Sequence, residues 1–424
     1  MPKTFADMVK VAQFLDVNYL WIDSLCIIQD DARDWMKEAG RMATVYANSF
    51  LTLAATASDN CHGGLFQDLP TTSSPFYERQ VPVDIAGSSG PKLWYRHHLS
   101  HDALYESEDN VRTFQKSHGL GFPLLSRAWI LQESLLSPRI VHFTGWEVVW
   151  SCCNGMRCCC DNDWVHEHAS SNLHESFEVL INPVESSGDP REDEMFHYWR
   201  RLINVYSRKR LTKPSDRLTA LSGVARTVQD AFGEKSIAGV WQHNLVDYLL
   251  WNIERHNGEH DGQQEHGYIA PSWSWASMNR EVNMWGHRIF NHEDTMRILE
   301  AHCTVDELDP TGAVKDGFLR VFGAVAPCTT SYSGINHILH FVGGLVSIKF
   351  RFDDPAYRSS AADTFYCLAV GRNEDYTEES YLILEHVQED KYRRVGYHLL
   401  PVEDGKRRWS DVIAASTMKE VIII

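Results

Sequence analysis

Two short apolar runs separated by a helical period constrain the start of this chain more than any other feature. Tyr19-Leu20-Trp21-Ile22-Asp23 ends on a carboxylate, and Phe50-Leu51-Thr52-Leu53-Ala54-Ala55 is a second run of similar length. Runs without polar alternation read as strands buried on both faces, as in parallel sheets. Between them Asp30 and Asp31 supply an N-cap, and Met36, Ala39, Met42, Ala43 and Tyr46 fall on one face of a helix ending near Asn48. Strand, helix, strand predicts a right-handed βαβ unit in a doubly wound parallel sheet, with Asp23 at its ligand-side edge. A preceding amphipathic helix is expected from Thr4 to Leu15, because Phe5, Met8, Val9, Ala12 and Leu15 recur at spacings of three and four. Its stripe should face a core.

The pattern changes along the chain. Residues 60–120 are rich in Ser, Pro, Gly and His and read as loops with a few strands such as Val81-Pro82-Val83. Ser126 is placed to cap a helix over Arg127 to Leu136, which Pro138 stops, and Trp129, Gln132, Glu133 and Leu136 then share a face. Arg139 to Phe143 and Trp146 to Trp150 flank Thr144-Gly145 as a hairpin. Cys160 to Glu194 is acidic and polar, a linker by composition. Helices are expected over 196–255, with Leu218, Leu221, Val224, Ala225 and Val228 following a Ser215/Asp216 cap, then Val240 to Trp251. From Phe318 onward short strands take over: Leu319 to Gly323, Phe365 to Leu368 and Tyr381 to Leu384. The expected division is an α/β domain over 1–155, an acidic linker over 156–195, a helical and loop segment over 196–290 and a β-rich region over 291–424.

Charge narrows the function classes. Against 40 Lys plus Arg stand 57 Asp plus Glu, a formal charge of −17, which repels phosphate backbones and acidic lipid surfaces and disfavours general nucleic-acid binding. No stretch approaches the roughly 18 uncharged apolar residues of a membrane helix, and Met1 to Lys10 has no signal-peptide pattern, so a soluble, cytoplasmic protein is expected. Five of the ten cysteines crowd into Cys152, Cys153, Cys158, Cys159 and Cys160, unlike a secreted disulfide framework, and mostly reduced thiols follow. His166 and His168 lie nearby, but without clean Cys-x-x-Cys knuckles no metal is assigned. Gly119-Leu120-Gly121 lacks the third glycine of a dinucleotide loop, and no Gly-Lys-Ser/Thr of a P-loop occurs.

Several motifs in order resemble fungal heterokaryon-incompatibility (HET) domains. Leu20-Trp21-Ile22-Asp23-Ser24-Leu25-Cys26-Ile27-Ile28-Gln29-Asp30, followed by Asp34-Trp35, Glu38, Met42, Val45-Tyr46 and Ala54-Ala55, is similar to the family's central motif. Arg127-Ala128-Trp129-Ile130-Leu131-Gln132-Glu133 resembles its Arg-x-Trp-x-x-Gln-Glu motif, and Trp150-Ser151-Cys152 its trailing Trp-x-Cys. Asp216-Arg217-Leu218, Ala238-Gly239-Val240-Trp241 and Pro271-Ser272-Trp273-Ser274-Trp275 resemble the region that follows the domain in long members, and Tyr392 to Tyr397 a familiar ending. Members carry a further Ala-Leu-Ser-Tyr-x-Trp-Gly-like strand and loop upstream of the segment that begins here at Met1. The resemblance therefore implies an N-terminally incomplete domain, from a truncated gene model or a degenerate member.

HET domains are thought to be distant relatives of Toll/interleukin-receptor (TIR) domains, so the resemblance implies a TIR-like or flavodoxin-like parallel sheet. It also implies a signalling role in non-self recognition and programmed cell death, with self-association and other incompatibility proteins as partners. Catalytic TIR domains cleave NAD at the nicotinamide bond with a glutamate, a reaction that needs a carboxylate against an oxocarbenium-like transition state. By that analogy Glu133 is the candidate catalytic carboxylate and Asp23 the second, Trp129 the aromatic wall, Arg127 a phosphate contact, and NAD the substrate; no resident cofactor is implied. The competing readings are Glu133 in an ion pair with Arg127 or Arg139, and a non-catalytic interaction module or a degenerate remnant of the family. Cys26 reads as a small buried thiol rather than a nucleophile paired with His62. Trp273 and Trp275, alternating as on a strand, read as packing residues.

Overall fold

A computed structural model describes residues 1–66, 79–81, 84–85, 88–89, 93–95, 122–145, 147–158, 173–182, 191–253, 267–284, 289–290, 292–333, 336–341, 347–354, 364–373, 377–401, 412–413 and 416–424. Pro82-Val83, Gly119-Leu120-Gly121, Trp146, Cys159-Cys160, His166 and His168 lie outside these residues. The chain divides into two compact units, Met1–Asp189 and Pro190–Ile424.

The first unit opens with helix α1 (Lys3–Phe14), the four-residue α2 (Asp23–Cys26) and α3 (Ala32–Ala47). Asp31 caps α3 by accepting from the Arg33 and Asp34 amides at 2.8 and 3.1 Å, satisfying two donors that a helix start leaves open. Strand β1 (Thr52–Ala54) follows, then the short strands β2 (Arg79–Val81), β3 (Asp84–Ile85), β4 (Ser88–Ser89) and β5 (Leu93–Tyr95). Next come α4 (Ala128–Leu136), β6 (Arg139–Phe143), β7 (Val148–Cys152), β8 (Gly155–Cys158) and α5 (Leu173–Ile181). The main sheet runs β1-β6-β7-β8. β1 pairs with β6 in parallel, Leu53 opposite Val141, and the expected hairpin forms as the antiparallel β6–β7 pair.

Three local expectations need correcting. Tyr19 to Ile22 pairs with no described strand: the segment is extended and runs into α2, so Asp23 starts a short helix instead of ending a strand. Only the β1–β6 pair of the main sheet is parallel among the described residues. Ser126 does not cap α4, because its hydroxyl turns back to the Pro123 carbonyl at 2.6 Å and leaves Arg127 as the N-cap residue. The stripe of α1 meets a core in part, Met8 packing with Val11 against the Ala55, Leu65 and Phe143 cluster. The helix's buried residues are Thr4 and Asp7, which hold the Gly64 and Leu65 amides, while Phe5, Met8, Ala12 and Leu15 line a cavity.

In the second unit, helices α6 (Arg191–Ser207), α7 (Ser222–Phe232) and α8 (Leu245–Tyr248) alternate with the two-residue strands β9 (Ser236–Ile237), β10 (Val240–Trp241), β11 (Asn252–Ile253), β12 (Val282–Asn283) and β13 (Ile289–Phe290). The expected Ser215/Asp216 cap is instead a 3-10 turn, Pro214–Asp216, separated by a second 3-10 turn, Thr219–Leu221, from α7, which starts at Ser222, and Val240 to Trp251 is only partly helical. Trp275 sits in a 3-10 turn, Trp275–Ser277, and not on a strand. It is buried all the same: its Nε1 donates to the Gly239 carbonyl at 2.9 Å, and the Arg217 guanidinium lies 5.0 Å from its ring centroid. The motifs around Arg217, Gly239 and Trp275 thus form one packed cluster, in keeping with a packing role.

The β-rich region begins with β14 (Met296–Asp306), β15 (Asp309–Ser333), β16 (Asn336–Phe341) and β17 (Ser347–Phe352), and continues with β18 (Thr364–Asn373), β19 (Glu378–Gln388), β20 (Lys391–Pro401) and β21 (Thr417–Ile423). Antiparallel pairings run β15-β16-β17-β20-β19-β18 and return from β18 to β15, so the strands close on themselves. Closure removes free edges, and alternate residues fill the interior: Ala324, Ala326 and Cys328 from β15 meet Phe365, Cys367 and Ala369 from β18.

Candidate functional site

A cavity of about 790 Å³ opens in the first unit, within the range of roughly 300–1,000 Å³ usual for small-molecule sites. Its walls are the apolar stripe of α1, the extended segment through Trp21 and Ile22, and β1; its polar end gathers Asp23, Tyr46, Arg127 and Glu133. Glu133 comes from the middle of α4, Arg127 from its N-cap, Tyr46 from the last turn of α3 and Asp23 from the start of α2. Packing of α3 on α4, with Trp35 edge-on to Trp129 at 6.1 Å, brings these elements together.

Glu133 is half-buried, and crowding by protein pushes its carboxyl up to about 7. A hydrogen bond from Tyr46 works against that rise, the Asp23 charge adds to it, and the Arg127 charge opposes it. Burial and the neighbouring Glu133 push the Tyr46 phenol well above its usual range, so it remains a donor. Its ring stands edge-on to Trp21 with centroids 5.8 Å apart. His142 reaches the cavity from β6. Burial, and secondarily the charge of His174, lowers it to about 4, and its Nδ1 lies 3.1 Å from the Thr56 hydroxyl. At neutral pH the site therefore holds a neutral imidazole and a carboxyl group poised between its two forms.

Of the four residues singled out in the sequence, Glu133, Asp23 and Arg127 line the cavity together. Trp129 does not: its ring goes to Trp35, and the aromatic surface of the cavity comes from Phe5, Tyr19, Trp21, Tyr46 and Phe50. Tyr46 is the residue that motif reasoning passed over. Its signal was a polar-tipped aromatic at the C-terminal end of an apolar helix face, a placement that favours a hydrogen-bonding hydroxyl. Cys26, expected to be buried, is exposed, and neither it nor the exposed His62 bonds to the other. Cys61, Cys152, Cys153, Cys303, Cys328 and Cys367 are also free thiols, whereas Cys158 is disulfide-bonded. Among the described residues no group of three His, Cys, Asp or Glu is placed to hold a metal, and no helix is long and apolar enough to cross a membrane.

The family described as Heterokaryon incompatibility protein (HET) matches residues 1–133, a span that ends on Glu133 and contains Asp23, Tyr46 and Arg127. No curated protein and no solved structure matches the chain.

Proposed function

We infer that this chain, an HET protein over residues 1–133, acts in fungal non-self recognition and programmed cell death by self-association and cleavage of NAD in a TIR-like first unit. The observation that carries the catalytic part is the Glu133 carboxyl at the wall of a cavity shared with Asp23 and Arg127. In this reading the bond between the nicotinamide nitrogen and ribose C1′ breaks, and nicotinamide leaves with the electron pair. Water then adds at C1′ and gives up its proton to solvent, leaving ADP-ribose. The Glu133 carboxylate stabilises the positive charge on the ribose as it develops, the term that contributes most in such reactions. Asp23 takes the ribose hydroxyls and Arg127 a phosphate oxygen through charge-assisted hydrogen bonds. Trp21 and Tyr46 take the aromatic role first given to Trp129. The action is placed in the cytoplasm, with other incompatibility proteins as partners.

A second reading, a non-catalytic interaction module, draws on a different observation. Phe14, Tyr19, Leu25, Ile28 and Phe50 in the same unit are exposed, with Phe14 at 89% and Tyr19 at 91%, and large exposed apolar side chains are the kind that a partner covers. NAD consumption by the purified chain separates the two. Turnover that falls about 10²–10³-fold in Glu133→Ala supports the enzyme. No turnover by the unaltered chain, even when the protein is forced to oligomerise, removes the catalytic reading and leaves the interaction module.

A further inference from the structure

Strand β6 turns two kinds of side chain to its two faces. Val141 and Phe143 pack with Ala55 and Leu65, while Ile140 and His142, alternating with them, are wall residues of the cavity. His142 is only 4% exposed, and one of its ring nitrogens is engaged: Nδ1 lies 3.1 Å from the hydroxyl oxygen of the buried Thr56. That hydroxyl has a single proton, which goes to the Ala54 carbonyl, an acceptor only, at 3.3 Å. Nδ1 therefore donates to Thr56, and the lone pair of the neutral ring is on Nε2. Nε2 has no hydrogen-bond partner among the described residues. The neighbouring His174 turns its own Nε2 to the Ser137 carbonyl at 3.2 Å. A buried acceptor without a partner costs free energy, and one in a cavity wall is satisfied by what enters the cavity.

The place of this acceptor fixes what it can meet. Glu133 is anchored beside Thr52: the Ser137 hydroxyl donates to the Glu133 carbonyl at 2.7 Å and lies 2.8 Å from that of Thr52. His142 stands opposite Ala54, two residues further along β1, about 7 Å at the rise of a strand. One substituted aromatic ring spans that length. Ile140, and Ile130 one turn before Glu133 on α4, line the same cavity and offer such a ring apolar contacts. A neutral acceptor in an apolar wall gives a carboxylate nothing to bind and a cation no counter-charge; it suits an uncharged N–H group. We propose that His142 selects the ligand of this cavity, its Nε2 accepting a hydrogen bond from a neutral N–H donor carried on a flat ring, in the NAD reading the carboxamide of the departing nicotinamide. The identity of the ring rests on the NAD-cleavage reading; the acceptor and its place in the cavity do not.

The test is nitrogen NMR of the full chain labelled in its histidine rings, with His142→Gln identifying the resonances. At neutral pH, Nδ1 should carry the proton and Nε2 should be bare; the opposite tautomer overturns the proposal. Titration then compares nicotinamide with 3-acetylpyridine, which keeps the ring and the carbonyl but has no N–H. Nicotinamide should shift the Nε2 resonance and bind about tenfold more tightly, the worth of one hydrogen bond to a buried acceptor. His142→Phe, in which Thr56 keeps its bond to Ala54, should bind the two compounds alike. Should that variant fail to fold, the unaltered chain still decides: equal binding, binding of neither, or a preference that leaves Nε2 unmoved overturns the proposal. NAD turnover that depends on Glu133, with Nε2 indifferent to nicotinamide, overturns it while leaving the catalytic reading in place. Nicotinamide seated on Nε2 in a chain that does not cleave NAD removes the reaction and supports the site.

Discussion

The Arg394 guanidinium lies 3.6 Å from the ring centroid of Trp251, fully buried, and makes four hydrogen bonds there. It donates to both Asp353 carboxylate oxygens at 2.9 and 3.2 Å, to the Leu249 carbonyl at 2.6 Å and to the Trp251 carbonyl at 2.5 Å. Burial pushes the Arg394 pKa down and that of Asp353 up, and each resists the other's shift. Removing one partner of such a pair leaves an uncompensated buried charge and costs about 3–5 kcal/mol. Arg394→Met is therefore expected to destabilise the second unit strongly in denaturant unfolding. Adding Asp353→Asn to it should cost much less than the sum of the two single changes, because the stranded carboxylate is gone. Additive losses would mean that the two residues are not coupled as the geometry has them.

Gly239 adopts φ +82°, and a Cβ there would come within 2.7 Å of Leu218 Cδ2 and 3.1 Å of Trp275 Nε1. Its carbonyl accepts from both Trp199 and Trp275 at 2.9 Å, so the backbone cannot shift without breaking two buried bonds. Gly239→Ala should lower stability by about 1–3 kcal/mol through the left-handed backbone, and more through the clash. Trp275→Phe leaves Trp199 still donating to that carbonyl, so its loss should come from volume and not from an orphaned oxygen. Thermal unfolding of the two variants measures the difference.

What the sequence made legible follows the range of the interactions involved. The period of α1, the cap and period of α3, the β6–β7 hairpin and the β-rich C-terminal region rest on neighbours within a few residues, and local patterns report those. Tyr19 to Ile22 has the composition of a strand, but a strand needs a ladder partner, and an apolar run does not reveal whether one pairs with it. The return pairing of β18 with β15 is likewise invisible to local pattern. At the site, Glu133 and Trp129 lie one turn apart on α4, which the spacing gave correctly. Which of them meets the cavity depends on Trp35, far away in the chain. Tyr46 was missed for the same reason: its partner is on a different helix.

Glu133 should give the first unit a stability that falls as pH rises. Unfolded, its carboxyl ionises near the ordinary value of 4.5, whereas in the folded chain it holds its proton to about 7. Between those values the unfolded state binds fewer protons, so the penalty grows with pH and is complete above 7. Glu133→Gln, which never ionises, should be more stable than the unaltered chain by about 2 kcal/mol at pH 8 and nearly equal to it below pH 5. Chemical unfolding at both pH values measures this. A variant less stable at pH 8 would mean that the carboxylate is well stabilised where it sits.

His142 pulls in the opposite direction over much of the same range. Buried and neutral in the folded chain down to about 4, it takes up a proton in the unfolded chain near 6.5, so stability falls as pH drops from 6.5 towards 4. The contribution at stake is about 3 kcal/mol, and His142→Gln, which keeps a partner for the Thr56 hydroxyl but cannot protonate, should remove it. From pH 4.5 to 6.5 the two residues offset each other, and the unaltered chain should show a shallow dependence on pH. Each substitution uncovers the other's slope: Glu133→Gln should be sharply acid-labile, and His142→Gln should lose stability as pH rises. Unfolding free energies at pH 4.5, 5.5 and 6.5 for the three proteins check this directly. Parallel curves for all three would show that neither group carries its shift into the energetics of folding.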